Sequence, residues 1–66
     1  MNFSERLKEL REEKNLSQME LSRATGISQS AIARWELNKT EPTVSSLIIL
    51  ANYFDESVDY LLGLTD

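Results

Sequence analysis

The stretch SQMELSRATGISQSAIARWE, Ser17 to Glu36, decides the fold. It opens by pairing Ser17 with Glu20 three residues on. That spacing makes a capping box: the serine hydroxyl meets a free N–H of the first turn, and the glutamate reaches back to the serine N–H. A short helix over about 17–24 follows, with Leu21 and Ala24 turned inward. Gly26 stops it, because glycine takes positive φ at little cost, and Ser28 stands ready to cap another helix two residues later. So short a connection cannot lay two helices side by side and antiparallel. They must meet at a large angle.

The second of these helices spans about 28–37. At 3.6 residues per turn, Ile32 and Trp35 point one way, with Ala31 beside them, and Gln29, Ser30, Ala33 and Arg34 point the other. This outer face lacks the matched i,i+4 charge pairs of a merely solvated helix. It carries short side chains around one amide and one guanidinium, a surface suited to a polar partner. Trp35 lies close enough to that surface for base stacking to be weighed, but its spacing from Ile32 favours the core.

Outward from this pair of helices, Phe3, Leu7 and Leu10 recur at helical spacing and predict a first helix over about 3–14, with Asn15 taking a left-handed turn after it. On the other side LNKTEP is a loop, in which Asn38 is suited to left-handed φ and Pro42 prevents continuation of the preceding helix. TVSSLIILANYF predicts a fourth helix, capped by Thr43, with Val44, Leu47, Ile48, Ala51 and Phe54 inward. Ser57 caps a last turn and a half in which Val58, Leu61 and Leu62 face inward and which Gly63 ends. No segment reads as a strand, a repeat or a linker. The expected fold is all-α, a compact bundle of five helices forming one domain over residues 1–66.

Composition narrows the chemistry. The 66 residues include neither cysteine nor histidine, which removes disulfides, thiolate metal sites and the side chain best suited to proton transfer near neutrality. An enzyme would need carboxylate pairs or a Ser–Lys arrangement. The acids fall on solvent-facing helix positions and the serines at helix starts, so no catalytic residue, cofactor, metal or small-molecule substrate is expected. No apolar run approaches a membrane span and no signal peptide opens the chain, so the expected location is the cytoplasm. Net charge is −4, which at first opposes nucleic acid, yet all seven Lys and Arg lie in residues 1–40. Residues 41–66 contribute five acids and no base. A bipolar chain can offer one face to a polyanion.

LSQMELSRATGISQSAIARWELNKTEPTVSSLIILANYFDESVDYLLG, residues 16–63, resembles the helix-turn-helix domain of the phage repressor and Cro family, also called the XRE family. The marks are L-S-Q-x-x-L, G-I-S at the turn, I-x-x-W-E, then proline and an aliphatic helix. The resemblance implies a lambda-repressor-like bundle, with a Cro/CI-type domain over about 7–62, the motif at about 17–36 and the recognition helix at about 28–37. It also implies that this helix lies in the major groove of double-stranded DNA, making the chain a sequence-specific transcriptional regulator, expected to be a repressor.

On that reading Gln29, Ser30, Ala33 and Arg34 read bases. Gln29 matches adenine N6 and N7, Arg34 forks onto guanine O6 and N7, and Ala33 suits a thymine methyl. Gln18 matches a family position that holds a phosphate, and Ser17, Ser28, Asn38, Lys39 and Thr40 are the further phosphate candidates. Each has a plainer reading: Gln29 and Lys39 as ordinary surface groups, Arg34 paired with a nearby glutamate, Ser17 and Ser28 as caps first. The family pattern pairs Arg11 with Glu36 in a partly buried ion pair, against two independent surface charges. Asn15 and Asn38 stand where many members have glycine, and Leu37 where many have a polar residue. Ile49 and Tyr53, an i,i+4 step apart on the fourth helix, are the candidate surface for a homodimer on a palindromic operator, against a monomer that dimerises only on DNA. The competing function is a protein-interaction module that keeps the scaffold without reading DNA.

Overall fold

All five expected helices are present in the computed structural model, which describes residues 1–66: α1 Phe3–Glu13, α2 Gln18–Thr25, α3 Gln29–Glu36, α4 Val44–Phe54 and α5 Val58–Leu61. Ser17, Ser28, Thr43 and Ser57 each sit in extended backbone at a helix start, and each side chain accepts an N–H of the first turn. The box at Ser17 is reciprocal, with Glu20 accepting the serine N–H at 2.8 Å. α1 has the same box, made by Asn2 and Glu5, which the hydrophobic spacing did not reveal although the residues stand at the right interval.

Chain reversals fall where left-handed backbone is cheapest. Gly26 and Gly63 have φ of 77° and 76°, and Asn15 and Asn38 stand in for glycine at 57° and 58°. Asp55, after α4, adopts φ 55° as well.

The core gathers one face from every helix: Leu7 and Leu10 of α1, Leu21 of α2, Ile32 and Trp35 of α3, Leu50, Ala51 and Phe54 of α4, and Leu61 of α5, with Ile27 from the turn. α1 and α2 both pack on α3, while α4 pairs with α5 and also meets α2. α3 is therefore held from behind on two sides.

Three inward assignments require correction. Ala24 is exposed, because α2 presses only Leu21 into the core. Val44 and Ile48 are exposed and Leu50 is fully buried, so α4 is rotated relative to the stripe read from its sequence. The run LIILA offers apolar side chains at five consecutive positions, so periodicity leaves its phase open and packing against α2 and α5 sets it. Val58 and Leu62 are half-buried at the edge of the core.

The chain ends meet. A Cβ on Gly63 would lie 1.8 Å from the Met1 carbonyl oxygen, so the C-terminal turn passes directly against the N-terminal backbone. Beside it Arg6 is buried, its guanidinium carbon 3.6 Å from the Tyr60 ring centre and its Nε 3.0 Å from Met1 Sδ. This cation–π contact ties α1 to α5.

Candidate nucleic-acid interface

α3 presents two unlike faces because of how its residues recur. Ile32 is fully buried and Trp35 nearly so, and the Phe3 ring meets the Trp35 ring edge-on at 5.9 Å. Trp35 is thus a core residue with no face free for stacking on a base. Ser30 and Arg34 are exposed on the other side, and Gln29 and Ala33 are half-buried at its margin.

Gln29 is held. Its Nε2 donates to Gln18 Oε1 at 2.9 Å, and Gln18 Nε2 donates to Glu36 Oε1 at 3.1 Å. Gln29 and Glu36 are seven residues apart, close to two turns, so both lie on the side of α3 that faces α2, where Gln18 spans them. Gln18 was expected to grip a phosphate. In the folded chain its amide bridges two residues of α3, leaving one N–H and the exposed start of α2 for any outside partner.

Glu36 is anchored in turn by Arg11: Nε donates to Oε2 at 2.7 Å and Nη2 to Oε1 at 2.9 Å. The two side chains are 12% and 5% exposed, so the pair is largely out of water. Arg11 Nη1 also donates to the Leu16 carbonyl at 2.7 Å, and the Ser4 hydroxyl donates to the Glu36 carbonyl at 2.7 Å. The hydrogen bond from Arg11 to Glu36 raises the guanidinium pKa above its ordinary value, outweighing the opposite effect of burial. An unmatched acid beside a polyanion-binding surface would repel the polyanion. Here the charge of Glu36 is already matched.

The flanking residues divide by what already occupies them. Ser17 and Ser28 spend their oxygens as caps, each keeping an O–H, and Ser28 Oγ lies 3.4 Å from Ser30 Oγ. Asn38, Lys39 and Thr40 are exposed in the loop after α3, positioned by backbone bonds from Asn38 N to Trp35 O and from Lys39 N to Arg34 O. A hollow of about 510 Å³ opens beside Arg34 and Thr40, and Thr43 and Ser46 at the start of α4 help to line it. Sequence reading gave Thr43 only a capping role and gave Ser46 none.

The two residues of the expected dimer surface differ in exposure. Ile49 is 41% exposed, but Tyr53 is half-buried against the core, edge-on to Phe54 at 5.1 Å and 5.7 Å from Lys14 Nζ. The exposed apolar stripe of α4 runs through Val44, Ile48 and Ile49 instead. No three His, Cys, Asp or Glu residues are grouped so as to hold a metal ion, and no helix is long and apolar enough to cross a membrane.

Comparison with known proteins places this geometry in context. A helix-turn-helix family profile matches residues 7–61. The chain is 39% identical over 64 residues to the uncharacterized HTH-type transcriptional regulator YobD of Bacillus subtilis, covering 97% of this chain and 57% of YobD. It is 39% identical over 63 residues to the HTH-type transcriptional activator BcrR of Enterococcus faecalis, covering 96% of this chain and 31% of BcrR. Among solved structures, the restriction-modification controller protein C.AhdI of Aeromonas hydrophila superposes with a TM-score of 0.82 at 30% identity, covering 91% of both chains. The chain spans about half the length, or less, of the curated relatives it matches.

Proposed function

The chain belongs to the helix-turn-helix family, and from that premise we propose that it regulates transcription by binding a specific double-stranded DNA sequence. α3 enters the major groove with Gln29, Ser30, Ala33 and Arg34 toward the base edges. The observation that carries this reading is the division of α3. Ile32 and Trp35 are locked into the core while Ser30 and Arg34 stay exposed and the Gln29 amide is held in place at the margin.

Ser17, Gln18 and Ser28 at the helix starts, with Asn38, Lys39 and Thr40 after α3, contact the phosphates on either flank. Such contacts set register without reading sequence. A palindromic operator fits a two-fold pair of chains, and the exposed stripe Val44, Ile48 and Ile49 supports a homodimer contact through α4. Repression follows where the operator overlaps a promoter. A relative named as an activator supports the view that the position of the site, rather than the fold, sets the sign. The DNA concerned is that of the bacterial or phage genome, in the cytoplasm.

Selection from a random duplex library tests the proposal. A sequence-specific binder enriches one motif, and its affinity falls steeply as salt rises because counterions compete for the phosphates. A scaffold that serves only protein contacts enriches nothing and shows no such slope. The net charge of −4 favours that second outcome; the exposed Arg34 and Lys39 favour the first.

A further inference from the structure

We infer that Glu36 is a positioning residue for base reading: through Gln18 it fixes which end of the Gln29 amide faces outward, and so selects adenine over guanine. The inference rests on the reading of α3 as the base-reading helix and adds to it a residue that never touches DNA.

Hydrogen-bond polarity sets the orientation of both amides. Glu36, ionised against Arg11, can only accept. Its Oε1 already takes Arg11 Nη2 at 2.9 Å, and the same oxygen takes Gln18 Nε2 at 3.1 Å. The amide end next to the carboxylate must therefore be the NH₂ end, which turns the Gln18 carbonyl toward Gln29. Gln29 can meet that carbonyl only with its own NH₂, as it does at 2.9 Å. Each amide is oriented by the group behind it, and the ambiguity that usually attends glutamine orientation is removed by a partner with no proton to give.

The consequence lies at the outer edge of Gln29. One N–H is committed to Gln18, and the second N–H and the carbonyl are left for an outside partner. A donor beside an acceptor matches adenine, whose N7 accepts and whose N6 donates. With the chain of bonds reversed, Gln29 would turn its carbonyl toward Gln18 and offer both N–H groups outward, a pattern suited to the two acceptors of guanine. The buried acid near the end of α3 thus chooses the base that is read near its start.

The test uses the duplex that the wild-type chain enriches from a random library, together with its single A·T to G·C replacements. The wild type is expected to prefer A·T at one position by about tenfold or more, and Gln29→Ala identifies that position by losing the preference there. Glu36→Gln, which can donate as well as accept and so frees Gln18 to turn over, is expected to lose the same preference while discrimination at the position read by Arg34 stays. Retention of the preference by Glu36→Gln overturns the inference, as does equal weakening at every position, which is what a purely structural role produces. Should Glu36→Gln not fold, Gln18→Met leaves the Arg11–Glu36 pair intact and must lose the preference at that position beyond the uniform weakening that its lost phosphate contact brings; retention of the preference there also overturns it. A wild-type chain that enriches no sequence overturns the DNA-reading assignment itself, and this inference with it.

Discussion

Arg11 and Glu36, one on α1 and the other at the end of α3, meet through two hydrogen bonds of 2.7 and 2.9 Å in a setting nearly closed to water. The pair fastens the N-terminal helix to the candidate recognition helix. Removing one partner leaves the other charged and poorly solvated, which costs about 3–5 kcal/mol in pairs of this kind. Arg11→Met is expected to lower the urea midpoint by a large part of a small domain's stability. The Arg11 pKa is raised in the folded chain by its hydrogen bond to Glu36. A raised pKa gives stability that is complete below the unfolded value and lost only as pH rises through the folded one, so this pair adds no pH dependence in neutral or mildly alkaline buffer. An unchanged midpoint for Arg11→Met counts against the role.

Glu20 gives the opposite sign. The bond from the Ser17 backbone N–H, with the Ser17 side chain close by, holds its pKa below the ordinary glutamate value of 4.5. Its contribution to the start of α2 is therefore present above the unfolded value and lost as pH falls through the lowered one. Amide protection at Gln18–Leu21, taken relative to the intrinsic exchange rate at each pH, should fall as the solution is acidified through that window. Glu20→Gln, which can still close the box, should remove the pH dependence.

Gly26 and Gly63 share left-handed backbone but differ in surroundings. A Cβ at Gly26 meets nothing within 4 Å, whereas at Gly63 it collides with the Met1 carbonyl. Gly26→Ala is expected to cost about 1–2 kcal/mol, the strain of the conformation alone. Gly63→Ala should cost more, because Met1 must move and Asn2, the cap of α1, moves with it. Thermal unfolding of both variants measures the difference.

Arg34 and Lys39 are both exposed cations but belong to different kinds of contact. Arg34→Ala should cost about 1–3 kcal/mol on the selected duplex and relax the preference at one base pair. Lys39→Ala should weaken selected and random duplexes alike and reduce the salt slope by about one. Titration of both duplexes at several salt concentrations separates the two.

Ile48 is half-exposed on the apolar stripe of α4. If that stripe joins two chains, Ile48→Asp places a charge in the contact and should abolish the dimer on the selected duplex while leaving the melting temperature of the chain nearly unchanged. Sedimentation with and without DNA reads both. Tyr53→Ala, by contrast, should lower the melting temperature, because that ring packs on the core.

Much of this was written locally in the chain. The capping pairs, the glycine turn and the alternation of Ile32 and Trp35 with Gln29 and Arg34 depend on neighbours within four residues, and such interactions operate whatever the rest of the chain does. They determined five helices, their ends and the two-faced character of α3. The phase of α4 was not written there. Five consecutive apolar residues offer several inward stripes, and only contact with α2 and α5 brings Leu50 rather than Ile48 into the core. The burial of Arg6 under Tyr60 likewise joins residues distant in sequence. So does the line of bonds from Arg11 through Glu36 and Gln18 to Gln29: family likeness pairs its first two members, but the direction of the amides depends on a buried acceptor, and burial is a property of the folded chain alone.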